Sequence, residues 1–515
     1  MTTLNRSAET LHWQANYPKI LEQRIARSVE YLQRSSLIEV RQHLASFLTL
    51  LIETHRYSEL TPQALHLISL LHPLPLRWGM GFRWEAELRF ALQNTPPENT
   101  AQRCEYQCAL ADVEYFSGNF DQAFEYCDTV LTTPNAPVSL RARASRVLFY
   151  CLRSTGQPQK ADQLFEEMSA IFLSNQPAAS IPPDQARAWL VFNQCQIDRL
   201  REKGQMEQAL DLVEDMIWLD QQEGSPEKNL TADLITHRST LLWVKARYPE
   251  SVADIKRAMQ LYRESEDHFN AESLQSNLGL VYWTMGELPL AEETLQAAIR
   301  FYQKTGSQQL ITYDIGNLGL VYFARGSLED ALRLTREHIA HAQEINFISE
   351  SRRGRRNLGT ILYYFGEYEQ AIEELSSSNA YYQNHGSRDG YGLDFLWLSL
   401  CYEALGEPEK ALKMAKDMIK WSAEMNSQLL LQLTYRCLAY LSPAGKKEAL
   451  LRQSLELVNH TERKLEKAAV LLALANASKD EEYWQQGSQI LREIGAEGWL
   501  DGRGIDTPPF IPMFV

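Results

Sequence analysis

The chain has 515 residues, 44% of them apolar and 23% charged, a balance too apolar for a disordered protein and able to sustain burial along its whole length. With 51 Lys and Arg against 66 Asp and Glu, the formal charge is −15, which argues against a general affinity for phosphate backbones and so against direct nucleic-acid binding. Seven cysteines are scattered without a CxxC pair, which argues against a disulfide framework and a zinc site. Cys104 and Cys108 share a helix face, but nothing nearby completes a ligand set.

The first residues, MTTLNRSAETLHWQ, lack the apolar core of a signal segment. No stretch approaches the roughly 18 to 20 apolar residues of a membrane span. A cytoplasmic protein without membrane contact is expected.

Residues 1–95 carry helical patterns over 20–32, 38–54, 62–71 and 84–93. Between them, 71–81 holds Pro73, Pro75, Gly79 and Gly81 around Trp78, a rigid turn and a boundary. Two readings of this region stand: a cap shielding the open end of the helices beyond residue 100, or a small helical module with its own partner.

From residue 101 the sequence becomes periodic. Weak units are marked by Gly118, Phe120 and Ala123, by Gly156, Ala161 and Phe165, and by Gly204, Met206 and Ala209. The pattern sharpens at 231, where Ile255, Ala258, Met259 and Tyr262 foreshadow Leu295, Ala298, Ile299 and Tyr302 in the next unit. Asn277-Leu-Gly-Leu-Val-Tyr282 with Gly286 and Ala291 recurs as Asn317-Leu-Gly-Leu-Val-Tyr322 with Gly326 and Ala331, each landmark stepping by 40. It recurs again from Asn357 with Gly366 and Ala371, and in degraded form from Trp397 with Gly406 and Ala411. A further unit surrounds Ala449, and 464–494 reads as a last helix pair, giving nine or ten units over 101–495, clearest over 231–420.

Each unit reads as two antiparallel helices. Leu274, Leu278, Val281 and Tyr282 lie at helical spacing in the first, and Leu290, Leu295, Ala298, Ile299 and Tyr302 in the second. Gly286, Gly326, Gly366 and Gly406 stand where a helix end needs a left-handed residue, and Pro289 or Pro408 opens the next helix. A small residue inside each first helix (Gly279, Gly319, Gly359, Ser399) costs about 1 kcal/mol in propensity. Close approach of the second helix at Ala291, Ala331, Ala371 and Ala411 would offset that cost.

L-G-x-x-Y, a turn glycine and a following alanine resemble the tetratricopeptide repeat, in a 40-residue variant of the common 34-residue unit. The resemblance is strong over 231–420, weaker over 101–230 and 421–495, and absent before residue 100. It implies an all-α fold, a right-handed α-α superhelical solenoid of about nine to ten helix hairpins. Similar long-period arrays occur in kinesin light chains, in maltose-regulator-type activators, in bacterial peptide-pheromone receptors and in the sensor halves of signal-transducing NTPases; none of those effector domains is visible here. The six extra residues lengthen each helix by about 4.5 Å and deepen the groove wall.

The tail, 496–515, changes character: Gly498, Gly502 and Gly504 precede Pro508-Pro509-Phe-Ile-Pro512-Met-Phe-Val515. Its prolines preclude a helix and predict an extended segment that packs back on the last helices or docks to a partner.

Motifs for chemistry are lacking. There is no GxxxxGK[ST], HExxH, GxSxG or GxGxxG, and no catalytic, cofactor-binding or metal-binding residues are assigned; the chain is not expected to be an enzyme. Against the acidic background, Arg352-Arg353-Gly-Arg355-Arg356 precedes Asn357. With Gly359 taken as the eighth position of its unit, Arg353 and Arg356 fall at positions two and five and Asn357 at six, facing the groove. Asn317, Asn277 and His237 take position six in the preceding units. An amide offers both donor and acceptor to an extended backbone, and a guanidinium can grip a carboxylate bidentately. In peptide-binding members of the resembled family such positions hold ligand backbones and carboxylates, which points to the same residues. The alternative is that the asparagines bond neighbouring helices and the arginines offset acids such as Glu344, Glu350, Glu367 and Glu369.

The resulting expectation is a non-catalytic scaffold or adaptor that binds a protein or peptide partner, one with an acidic or C-terminal carboxylate group, along its concave face. Two alternatives stand beside it: a ligand-gated regulatory sensor of a peptide or anionic small molecule, acting on an effector in another chain, and an accessory subunit of an enzyme complex.

Overall fold

The computed structural model describes residues 2–222, 227–385, 388–424 and 428–507, and among these there are twenty-five α-helices and no strands. The Pro-rich stretch 508–515 lies outside the described residues. Five helices come first: α1 (Thr2–Arg34), α2 (Leu37–Thr54), α3 (Thr61–Leu71), the single turn α4 (Leu74–Arg77) and α5 (Gly81–Asn94). Ser36 starts α2 with a reciprocal capping box to Glu39. Leu21, Leu51, Leu67 and Trp84 share one core with Tyr106 and Leu110, so the apolar interior of this region runs into the first helix after it.

Ten hairpins come next. They are α6 (Thr100–Ser117) with α7 (Phe120–Thr132), α8 (Val138–Ser154) with α9 (Pro158–Ser169), α10 (Pro183–Glu202) with α11 (Met206–Gln222), α12 (Lys228–Val244) with α13 (Tyr248–Glu264), and α14 (His268–Met285) with α15 (Leu288–Thr305). The second five are α16 (Gln308–Arg325) with α17 (Leu328–Glu344), α18 (Ile348–Tyr364) with α19 (Tyr368–His385), α20 (Arg388–Ala404) with α21 (Pro408–Glu424), α22 (Gln428–Leu441) with α23 (Ala444–Asn459), and α24 (Lys464–Ser478) with α25 (Glu481–Glu493). From hairpin to hairpin the helices pack in order, as in a helical solenoid; α10 packs chiefly on α8 and meets α9 through side chains, Phe165 stacking on Phe192 and Arg199 pairing with Asp162 and Glu166.

The turn glycines behave as their sequence positions require. Gly286, Gly326, Gly366 and Gly406 have φ of 81, 83, 77 and 79°, values open to glycine without steric cost. In the unit before them Ala246 takes the same role at φ 58°. A second left-handed position joins one hairpin to the next, at Glu266, Gly306 and Asn346. The small residues inside the first helices are also explained. A Cβ on Gly279 would lie 2.7 Å from Leu295, and one on Gly359 would lie 2.7 Å from Leu375. The gap is thus filled chiefly by the leucine four residues after the alanine, with the Ala291 and Ala371 carbonyl oxygens next in line.

Winding is tight enough that successive turns touch. Helices α4, α6 and α8 pack against α14, α16 and α18, so the contacts recur every ten helices and five hairpins complete one turn. The rise per turn is therefore about one helix length, ~26 Å for 17 to 18 residues. Phe120 meets Phe347 with ring centroids 5.5 Å apart, and Phe116 meets Phe269 at 5.4 Å. One layer further, Arg463 donates to the Tyr248 hydroxyl at 2.6 Å and Lys464 pairs with Glu287 at 2.6 Å.

The start of the tail belongs to this stacking and is not extended. Glu497–Trp499 form a 3-10 turn, and the buried Trp499 donates its indole N–H to the Ala324 carbonyl at 2.9 Å. Asn476 then holds the carbonyls of Ile505 and Asp506 at 2.9 and 3.1 Å.

Candidate functional site

The inner wall is made by the first helices of the hairpins, and its polar side chains mostly bond from one unit to the next. Three of the groove residues named from sequence serve this way. Asn317 on α16 accepts from Arg353 Nη1 on α18 at 3.0 Å, and its own amide donates to Asp314 at 3.3 Å. Arg353 also donates Nε to Glu350 at 2.7 Å, and His338 Nε2 lies 3.1 Å from the same carboxylate. Ser276 on α14 donates to Asp314 at 2.7 Å, so one buried chain of polar contacts links three hairpins. Arg356 donates Nε to the fully buried Asp394 on α20 at 2.7 Å, its guanidinium 4.4 Å from the Tyr382 ring centroid.

Electrostatics in this network follow from its partners. Burial would raise the Glu350 carboxyl, but Arg353 and His338 override it and hold it at about 2. Among the described residues Asp314 forms no ion pair; burial pushes it up to about 7 against the hydrogen bonds from Ser276 and Asn317 and the pull of Arg353. Asn277 and Asn357 are half-buried on the same wall.

His237 is placed differently. It lines a cavity of about 810 Å³ between the first turn and the second, a volume in the range of small-ligand sites. Arg143, Arg146 and Tyr150 of α8, Gln194 of α10 and Asp233 of α12 face the same space, while Phe269 and Asn270 of α14 wall it from the next turn. Of the six groove residues read from sequence, His237 alone reaches it.

Several ions around the cavity are neutralised within the wall. Arg143 pairs with Asp112 and, at 3.1 Å, with Glu105; Arg187 pairs with Glu227 at 2.8 Å. Burial would raise Glu105, but His72 and Arg143 hold it at about 2. Among the described residues Arg77, Arg146, Asp233, His237 and Asp267, which line the same space, form no ion pair. Arg146 spends one N–H on Gln194 Oε1 at 3.0 Å, and its buried Nε has no hydrogen-bond partner. Asp233 accepts from the Tyr262 hydroxyl, and among the described residues no ion pair joins it to any cation. Burial raises the Asp233 carboxyl and lowers the His237 imidazole against the pull of Asp198 and Asp233. For Arg146 the burial penalty is outweighed by the nearby carboxylates, first of them Asp233, and its pKa lies above the ordinary value.

Arg146, Gln194 and Asp233 were missed in the sequence, yet the register that singled out Arg353 and Arg356 finds them. Counting back from the turn glycines Gly156 and Gly204, or from Ala246, puts Arg146 and Gln194 at position five and Asp233 at position two. Among the described residues no cluster of His, Cys, Asp or Glu is arranged to hold a metal. No helix of the described residues is long and apolar enough to cross a membrane. All seven cysteines are buried free thiols; burial pushes Cys108, Cys401 and Cys437 up to about 12.

Residues 230–304 match the family model of the tetratricopeptide repeat. No curated protein matches the chain. Among solved structures it is similar to a Rap protein complexed with competence and sporulation factor, at 16% identity over 68% of this chain and 99% of that one, TM-score 0.44. It is also similar to the Rap conjugation gene regulator of plasmid pLS20 with a Phr peptide (14% identity, 57% and 87% covered, TM-score 0.47). A third is the apo quorum sensor NprR from B. thuringiensis (17% identity, 69% and 98% covered, TM-score 0.42). At such identities and scores these likenesses carry no weight for function.

Proposed function

We propose that this chain, a tetratricopeptide-type repeat protein, is a non-catalytic regulatory adaptor that takes a short peptide or a ligand of similar size into the cavity between its first two superhelical turns. The observation that carries the reading is the cavity itself: about 810 Å³, walled by two turns, with Arg146, Asp233 and His237 on its surface and not neutralised by the wall. A polar group that is buried and unsatisfied costs stability, and a ligand offers the missing partner. Because the turns touch, the inner face offers a half-open pocket of limited length, which favours a small ligand controlling an effector on another chain over a long segment threaded through an open groove.

In this reading His237 contacts the ligand, while Asn317, Arg353 and Arg356 set the spacing of the units that shape the inner wall. Residues 1–95 act as a cap, since their core merges with that of α6. The test is a cavity-filling substitution. Ser139 lines the space from the start of α8 and is only half-buried, so Ser139→Trp should abolish binding of short peptides, followed by calorimetry, while leaving the helical circular-dichroism signal and melting profile unchanged. A folded Ser139→Trp protein that binds as well as the wild type would place the ligand elsewhere.

A further inference from the structure

The cavity presents opposite charges that do not meet. Arg146 on α8 and Asp233 on α12 are separated by α10, and Gln194 from that intervening helix takes one N–H of the guanidinium. A guanidinium has five donors, and among the described residues this one makes a single hydrogen bond. Among the same residues Asp233 has one bond, from a neutral hydroxyl. Other charges on the same wall are paired, Arg143 with Asp112 and Glu105 and Arg187 with Glu227, while Asp267 accepts from Asn229 and Asn270 and, like Arg77, lines the cavity without an ion pair among the described residues. Charges that face a cavity and are left over when their neighbours are paired define what must enter to complete them. An anion alone would satisfy Arg146 but would be repelled by Asp233, and a cation alone would meet the reverse.

Resting on the cavity reading above, we propose that the ligand is dipolar, offering a carboxylate to Arg146 and Gln194 and an ammonium group to Asp233. Two sources carry that chemistry: a free amino acid, and a short peptide with unblocked ends. Neutral His237, beside both charges, can donate to the carboxylate or accept from the ammonium, and so orients the ligand without favouring either sign.

The experiment titrates the full chain by calorimetry with four probes: a mixture of free amino acids, a pool of unblocked tripeptides, the same pool N-acetylated, and the same pool C-amidated. The expected result is binding of the first or second probe, with acetylation and amidation each weakening peptide binding by at least ~10-fold if peptides are the source. Asp233→Asn should erase the acetylation penalty and Arg146→Gln the amidation penalty; for amino acids, each substitution should weaken binding by a similar factor. The wild-type comparison of blocked with unblocked probes needs no variant, so it stands even if one of them fails to fold. If blocking either end changes nothing while Ser139→Trp still abolishes binding, the dipolar ligand is wrong and the cavity reading survives. If Ser139→Trp binds normally, or no probe binds at all, both fall.

Discussion

Arg356→Met would show whether the inner-wall arginines hold the units together or wait for a ligand. Its partner Asp394 is 0% exposed, and Arg356 Nε approaches Asp394 Oδ1 at 2.7 Å. Removing one member of such a pair leaves a buried carboxylate without its counter-charge, a loss of about 3–5 kcal/mol. Methionine keeps much of the aliphatic stem beside Tyr382, so little of that loss comes from packing. Asp394 is already raised by burial, and losing Arg356 raises it further, so proton uptake relieves part of the stranded charge and brings the expected cost toward the lower end of the range. Replacing both residues, Arg356→Met with Asp394→Asn, removes the stranded charge and should recover at least half of the loss. Because repeat arrays open in segments, a single unfolding free energy is poorly defined for the whole chain, and amide hydrogen exchange in α18 to α20 is the appropriate assay. The single variant should lose protection there by a factor of at least ~100, the equivalent of about 2.7 kcal/mol, with amides of α2 and α3 unchanged. A single variant that keeps wild-type protection, or a double variant no better than the single, would refute the structural role of the pair.

Asp314 gives a pH signature of known sign. Its folded carboxyl titrates at about 7, against about 3.9 in an unfolded chain. Between those values the unfolded state releases a proton that the folded state keeps, so the contribution of Asp314 falls as pH rises through that window and is flat above it, with a slope of up to about 1.4 kcal/mol per pH unit. Asp314→Asn should therefore gain stability relative to wild type between about pH 5 and about pH 8, read from amide protection of α14 to α18 in the two proteins at each pH; a difference between the two proteins that does not change with pH would rule this out. Gly326→Ala and Gly406→Ala form a matched pair: both glycines are left-handed, but a Cβ at 326 would lie 2.7 Å from the Gly498 backbone, whereas one at 406 meets nothing within 4 Å. Both should show the roughly 1 kcal/mol cost of a left-handed alanine, and only Gly326→Ala should release 496–507 to proteolysis; equal susceptibility of the two would mean that the stacking of turns does not secure the tail.

The hairpins were legible because each landmark answers a local demand. Gly286 and Gly326 end a helix in the left-handed region, and Gly279 and Gly359 admit Leu295 and Leu375, needs that recur every 40 residues. What the repeat does not encode is how far one turn lies from the next. That distance depends on small rotations between hairpins, and it decides whether Ile345 packs on Gly118 and whether Trp499 reaches Ala324. The site suffered from the same gap. Register identified which positions face inward, but Arg353 and Arg356 find carboxylates one helix turn or one hairpin away, whereas Arg146 does not. Separating the two cases requires knowing what stands opposite, across the superhelix as well as along it.

The same geometry explains why clamps and site can share one set of positions. With five hairpins to a turn, the first helices converge on a narrow axis, and an inward side chain is within reach of adjacent units and of the layers above and below. Where those neighbours supply an opposite charge, as Glu350 does for Arg353 and Asp394 for Arg356, the position becomes a rivet. Where α10 offers only the amide of Gln194 between Arg146 and Asp233, the charges stay apart and a space remains. Supplying that rivet from within should therefore close the site: a carboxylate introduced by Gln194→Glu would pair with Arg146, and ligand binding should fall while the chain gains stability. If Gln194→Glu bound ligand as the wild type does, Arg146 would not be the group that the ligand completes.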